Sequence, residues 1–356
     1  MSASTLTTSY EEVVARNLEL PTVSVIVPCY NEERFIGKTL ENLIRQYASE
    51  AYEIIVVDGM SEDSTRDVVT QFQNFHPQPT IKLVLNPDRS IPKSLNLGIE
   101  EASGEVIARM DAHAFPSPGY IRRCVEVLIN GDADVVGMPC VIQPATRTTT
   151  AHAIALAVSH PFGIGDARYR LSGDAERQEA VDTVAFACFK KSLWRQLDGY
   201  DESLLTNEDY DFNYRARLRG DRVILDRSEH CNYFARETLP KLSAQYRRYG
   251  KWKARMIRRH PRSIRVRHVV APIFVASIIL LSTLGIWKAE AWLVLAAELL
   301  LYFTFAVAFS VHAVKRAAEA PNILLVLPIV FLVIHLSWGA SFLVGLIGGH
   351  SRNVKL

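Results

Sequence analysis

Three long apolar runs close this 356-residue chain, and no other feature narrows its possible folds as far. Val269–Trp287 is an uncharged run of about nineteen residues, enough as a helix to cross the roughly 30 Å of a bilayer's hydrocarbon. Ala291–Val311 is a second, interrupted only by Glu298, and Ile323–Ile347 a third, holding Pro328 and His335. A soluble core does not call for three consecutive helices apolar on every face. The chain is therefore expected to end in three transmembrane α-helices, at about 269–287, 291–311 and 323–347.

The flanking charges orient them. From Lys241 to His268 there are eleven Lys and Arg and no Asp or Glu, and Lys315 and Arg316 lie between the second and third runs. The loop Lys288–Glu290 is short and nearly neutral. By the positive-inside rule, residues 1–268 are cytoplasmic and the tail 349–356 lies outside, with Arg352 and Lys355 pulling weakly the other way. Trp287 and Trp292 then stand at the outer interface. No charged-then-apolar leader opens the chain to carry the rest across. Glu298 and His335 are costly in hydrocarbon unless partnered. They lie within reach of each other, of Ser337 or of Ser341, and are expected to serve packing or homo-oligomer contacts.

With 40 basic against 38 acidic residues, the net charge of +2 excludes a surface built to grip nucleic acid. Five cysteines without a C-x-x-C pair exclude a disulfide framework and a structural zinc site.

Before residue 238 the sequence alternates. Val23–Pro28, Glu53–Asp58, Ile81–Asn86 and Glu105–Asp111 read as strands, separated by helices at about 32–47, 62–75 and 92–102. Continuous β-branched runs indicate a mostly parallel sheet covered on both faces, a doubly wound α/β domain. Such sheets bind ligands at the C-terminal ends of their strands. Pro28-Cys29-Tyr30-Asn31-Glu32 follows the first strand, Asp58-Gly59-Met60-Ser61-Glu62-Asp63-Ser64-Thr65 the second, and Asp111-Ala112-His113-Ala114 the fourth. No G-x-G-x-x-G or Walker A loop is present. Carboxylates at several strand ends suit a ribose and a pyrophosphate held through a divalent metal.

In this wording and order the segments resemble family-2 glycosyltransferases of the GT-A fold. Lys93-Ser94-Leu95-Asn96-Leu97-Gly98, Phe186–Asp201 ending in Gly199-Tyr200-Asp201, and Asn207-Glu208-Asp209 extend the resemblance over about residues 22–260. Met110–Ala114, Gln245–Lys253 and the apolar C-terminus are most similar to succinoglycan-type exopolysaccharide glucosyltransferases. The implied layout is an N-terminal extension at 1–21, a GT-A domain at 22–237, a basic interfacial segment at 238–268, and the helices.

The resemblance implies an enzyme of the bacterial inner membrane. It would move a sugar, with inversion, from a nucleoside-diphosphate donor such as UDP-glucose to a polyprenyl-diphosphate-linked glycan. Transfer onto polyprenyl phosphate itself and a non-catalytic nucleotide-binding scaffold are the alternatives. Asp209 is the implied general base, with Glu208 beside it as the other choice. Asp111 and His113 would hold a divalent metal, and His in place of a second Asp favours Mn over Mg without excluding Mg. Pro28, Tyr30, Glu32, Asp58, Lys93 and Asp111 would line the nucleotide-sugar site. Gln245, Arg248 and Tyr249 resemble the Q-x-x-R-W of polysaccharide synthases, with Tyr for Trp, and would face the acceptor sugar and the diphosphate. The basic run around them also suits anionic lipid headgroups.

Overall fold

The computed structural model of the chain describes residues 21–47, 52–171 and 176–348. The expected N-terminal extension (but for its last residue) and the tail 349–356 fall outside them. The first half is built as the apolar runs dictate. Strand β1 (Val23–Cys29), helix α1 (Ile36–Ile44), β2 (Tyr52–Asp58), α2 (Thr65–Phe75), β3 (Thr80–Leu85), α3 (Ile91–Glu101) and β4 (Val106–Arg109) follow in turn. β1, β2 and β4 are buried along almost their whole length, which explains their lack of alternation. α3 lies so close to the sheet that a Cβ at Gly98 would come within 2.5 Å of Ile26.

Next come β5 (Ala114–Pro116), α4 (Tyr120–Ile129), β6 (Val135–Gly137), β7 (Cys140–Gln143), α5 (Thr149–Ala157), the single turn α6 (Pro161–Ile164) and β8 (Gln178–Ala180). β9 (Cys188–Lys190), α7 (Lys191–Gln196), α8 (Glu208–Leu218), β10 (Val223–Asp226) and β11 (Cys231–Phe234) complete the domain. The main sheet has the order β3-β2-β1-β4-β9-β6-β10-β8, and β5-β11-β7 form a second, smaller sheet. β1 to β4 pair in parallel, whereas β9 runs antiparallel between β4 and β6. The mostly parallel, doubly wound α/β fold expected from the sequence is present.

Helix α9 (Leu239–Arg259) occupies the basic segment, followed by α10 (Val270–Leu284), α11 (Glu290–Ala317) and α12 (Leu327–Ile347). The last three are long and apolar enough to cross a membrane. Their packing differs from three side-by-side crossings. α10 and α11 form an antiparallel hairpin, with Phe274 stacked on Tyr302 at 4.6 Å and Ser277 donating to Glu298 at 2.5 Å. At its tip Trp287 and Trp292 are exposed.

α12 packs first against the α/β domain and then along α9. Its first half shares a core with α5 and with Leu242 and Tyr246 of α9. It then runs alongside α9 in the same direction. Ser337 meets Ser243, Trp338 and Phe342 meet Gly250, Gly345 meets Ala254, and Arg258 donates to Gly348 O at 2.7 Å. Arg259 and His260, at the same end of α9, pair with Asp201 and Asp211 of the catalytic domain. Both ends of α12 thus have partners in the α/β domain or in α9, and the fold uses α9 as this helix's neighbour. Glu298 and His335 do not pair: His335 bonds Tyr302 Oη and Phe162 O, both at 2.8 Å.

Candidate active site

The C-terminal ends of β1, β2 and β4 converge. β1 and β2 are in register so that Cys29 pairs with Asp58, and Met110 N donates to Ile26 O at 3.0 Å. Asn31, Met60 and Arg89, at the ends of β1, β2 and β3, have positive φ, as does Asn207 just before α8. Left-handed backbone at non-glycine residues costs about 1–3 kcal/mol each and gathers where function requires a fixed shape.

The loop after β1 is stapled to the turn after β2. Asn31 N donates to Ser61 Oγ at 2.9 Å, Glu62 N to Asn31 Oδ1 at 2.8 Å, and Glu32 N to Thr65 Oγ1 at 2.8 Å. Asp58 holds this turn from within: it is fully buried and accepts from Ser61 N at 2.8 Å and Ser61 Oγ at 2.5 Å. Asp63 caps the start of α2 through Thr65 N at 3.0 Å. Tyr30 is 42% exposed, with the Arg89 guanidinium 5.2 Å above its ring and Arg89 Nη1 donating to its hydroxyl at 3.1 Å. Pro28 is half-buried at the end of β1, behind Tyr30. Tyr30 and Arg89 therefore lie together over an Asp58-braced turn.

Lys93 and Asn96 both meet the turn before α8. Lys93 Nζ lies 3.4 Å from Glu202, and Asn96 donates to Tyr200 O at 2.9 Å while accepting from Tyr200 N at 2.9 Å. They anchor the Gly199-Tyr200-Asp201 turn against α3.

One arginine that the motif reading passed over organises the centre. Arg109 ends β4, two residues before Asp111, and is only 8% exposed. Its Nη2 lies 3.3 Å from Asp111 Oδ1 and its Nη1 2.9 Å from Glu208 Oε1. A guanidinium thus joins the strand-end carboxylate to the acidic pair at the start of α8. Its signal in the sequence was a charge inside an otherwise apolar strand, Val106-Ile107-Ala108-Arg109.

Glu208 and Asp209 are divided by burial. Glu208 is 5% exposed; burial pushes its pKa up, Arg109 draws it down, Asp209 adds to the rise, and it stands at about 7. Asp209 is half-exposed at the rim, its Oδ1 accepting from Tyr210 N at 2.6 Å. Lys253, expected on a membrane-facing run, is buried instead, with Nζ 3.1 Å above the centre of the Tyr210 ring. Burial lowers its pKa to about 7, against the nearby charge of Asp209.

His113 Nδ1 is 2.9 Å from Glu32 Oε1. Burial opposes the charged imidazole, but the Glu32 hydrogen bond and the Asp111 charge outweigh it, so the His113 pKa is raised. Among the described residues no three His, Cys, Asp or Glu side chains form a metal cage. The donor set still fits a cation that shares its shell with substrate. A carboxylate on one imidazole nitrogen leaves the other for a metal, the usual second-shell arrangement, and Asp111 stands close enough for its charge to act on the ring.

On α9, Gln245 Nε2 donates to Tyr249 Oη at 2.9 Å, and both face the domain. Arg248 is exposed, as are Arg247 and Lys251.

Residues 24–197 match the family model described as Glycosyl transferase family 2. These residues form a glycosyltransferase family 2 domain. The chain is 26% identical over 325 residues to the succinoglycan biosynthesis protein ExoA of Rhizobium meliloti, covering 89% of this chain and 93% of that one. It is 27% identical over 242 residues, 67% of this chain and 74% of the other, to a dolichyl N-acetyl-α-D-glucosaminyl phosphate 3-β-D-2,3-diacetamido-2,3-dideoxy-β-D-glucuronosyltransferase of Methanococcus voltae. Its fold matches that of the mannosyltransferase PcManGT from Pyrobaculum calidifontis, solved with GDP-Man and Mn2+. The TM-score is 0.59 at 20% identity, over 90% of this chain and 88% of the other.

Proposed function

We propose that the enzyme transfers a hexose, with inversion, from a nucleoside-diphosphate sugar such as UDP-glucose to a hydroxyl of a polyprenyl-diphosphate-linked glycan. The observation that carries this reading is the Arg109 bridge, which sets the acidic pair of α8 beside Asp111 at one rim of the sheet. The similarity to a succinoglycan biosynthesis protein and to a transferase named for a dolichyl N-acetylglucosaminyl phosphate substrate supports a lipid-linked acceptor.

The donor's base lies against Tyr30, with Arg89 closing over it. Asp209, the accessible member of its pair, takes the proton of the acceptor hydroxyl as that oxygen bonds to the anomeric carbon. The bond from that carbon to the diphosphate breaks on the opposite face, and its electron pair leaves with the diphosphate. Glu208 stays behind Asp209, and Arg109 keeps the two carboxylates and Asp111 from repelling one another apart. Asp111 and His113 would hold a divalent cation, Mn or Mg, whose charge offsets that of the leaving group.

The enzyme sits on the cytoplasmic face of a bacterial inner membrane, the α10–α11 hairpin entering the bilayer and α12 lying along its surface. The exposed side of α12, through Ile329, Leu336, Val344 and Ile347, is apolar and suits that seat. The exposed cations of α9, Arg248 among them, reach lipid headgroups.

The test mixes membranes containing the enzyme with UDP-sugars and a lipid-linked acceptor, with Mn2+ or with EDTA. Asp209→Asn is expected to lower transfer by about a hundred- to ten-thousand-fold while UDP binding persists. Full turnover in that variant would remove the assigned base. Product analysis separates a glycosidic bond from a phosphodiester to the lipid.

A further inference from the structure

Arg170 closes a short 3-10 turn, Arg168–Arg170, between α6 and β8. Its surroundings are unusual for a guanidinium. No carboxylate among the described residues lies within ion-pair distance, although 22 ion pairs occur elsewhere, from Arg66 to Arg267. Its Nε is buried without a hydrogen-bond partner. The ionisable groups that act most strongly on it are four phenols: Tyr169, Tyr249, Tyr246 and Tyr233. The guanidinium carbon lies 5.4 Å from the Tyr169 ring centre and 5.9 Å from that of Tyr233. Phenols titrate near pH 10, so at neutral pH this wall supplies no counter-charge.

A second, independent feature marks the same place. Tyr246 of α9 is 5% exposed, and its hydroxyl is buried with no partner. Nearby, the Tyr249 hydroxyl is already used as acceptor by Gln245. Two buried donors left unmatched, one of them cationic, are costly unless something accepts from both. A phosphate does this well, since a guanidinium binds its oxygens in a fork.

The position says which phosphate. Tyr233 stands between Arg170 and His113, 5.8 Å from the His113 ring, so the cage adjoins the reaction centre. Asp209 acts electrostatically on Tyr169. On its other side Tyr246 shares a core with Leu327, Val330, Phe331 and Ile334 of α12, where the catalytic domain meets the apolar helices. A phosphate held there would have the sugar side of its ester toward Asp209 and a lipid chain toward α12.

Resting on the proposed transfer to a lipid-linked acceptor, we infer that Arg170 and the Tyr246 hydroxyl form an anion subsite for the phosphate or diphosphate of that lipid. The guanidinium sits where the α/β domain meets the apolar helices.

Binding is measured directly on the purified full chain, without turnover, so that it does not depend on the sugar being known. The probes are geranylgeranyl phosphate, geranylgeranyl diphosphate, geranylgeraniol as the uncharged control, and UDP. Arg170→Gln is expected to weaken both phosphorylated lipids at least tenfold and Tyr246→Phe several-fold, with UDP and geranylgeraniol changed less than twofold. Unchanged UDP affinity shows that each variant is folded. Phosphorylated lipids bound as tightly by both variants as by the wild type would overturn the subsite. A tenfold loss of UDP with lipid binding intact would overturn the lipid assignment and give the cage to the leaving diphosphate. If transfer fails on every acceptor while these lipids bind through Arg170, the functional reading falls and the subsite stands.

Discussion

The rim of the catalytic sheet and the C-terminal helices fold by opposite rules. At the rim, polar side chains in an apolar frame each have a partner that fixes their direction: Asp58 with Ser61, Glu32 with His113, Arg109 between Asp111 and Glu208. In the helices, three segments of similar apolar character meet different fates. The α10–α11 hairpin leaves much of its apolar surface exposed, whereas α12 is packed against α5, α9, α10 and α11. Composition states that a helix tolerates hydrocarbon. Its neighbours decide whether it crosses. The seat proposed for α12 keeps its neighbour α9, with exposed Lys241, Arg247, Arg248, Lys251, Arg258 and Arg259, out of the bilayer's centre. Each such cation placed there would cost about 3 kcal/mol.

The largest effect expected is all-or-none. The five native cysteines are buried, so single introduced thiols report cleanly. In sealed vesicles, Ile347→Cys, 86% exposed at the end of α12, is expected to react with an impermeant maleimide from the same face as Leu218→Cys on the catalytic domain. Labelling from opposite faces would mean that α12 crosses, and the contrast between hairpin and clamp would be lost.

Arg109→Met tests the rim. Removing one partner of a buried ion pair costs about 3–5 kcal/mol, eased here because Glu208 can take up a proton. The melting temperature is expected to fall and transfer to drop sharply while the α9–α12 seam stays intact. A variant as stable and active as the wild type would show that the guanidinium does not organise the centre. Gly250→Leu tests the clamp. Its Cβ would come within 2.5 Å of Trp338 O, so α9 and α12 must part. Overpacking of this kind costs about 1–3 kcal/mol. UDP binding is expected to survive, and Ile347→Cys in that background should label more slowly or from both faces.

The same contrast governs how much was legible in the sequence. The strands and their carboxylate-bearing ends were readable because burial on both faces writes an unbroken apolar run and a ligand-binding end writes polar residues after it. Arg109 escaped because its meaning lies in a contact with Glu208, ninety-nine residues away. Lys93 is a motif expectation, and only the packing of α3 on the Tyr200 turn reveals that Glu202 stands beside it and that Asn96 bonds the turn's backbone. Arg170 has no motif; its character is that no acid among the described residues lies within ion-pair distance. The packing of α12 was illegible for a related reason, since hydropathy describes one segment and the fold pairs two.

The smallest effect sharpens the division of labour between Glu208 and Asp209. The Glu208 pKa stands at about 7 in the folded protein, raised by burial and by Asp209 against the pull of Arg109, where an unfolded chain would hold it near 4.5. A group whose folded pKa is raised contributes stability in full below its unfolded pKa and loses it as pH rises through the folded value. The wild-type melting temperature should therefore decline from pH 5 to pH 8 more than that of Glu208→Gln, by about 2 °C. Glu208→Gln should also keep far more transfer activity than Asp209→Asn, because the group that faces the incoming hydroxyl is still present. If the two variants lose transfer equally while the pH slope is unchanged, burial does not separate their roles, and the rim holds a shared acid pair in place of one base and one brace.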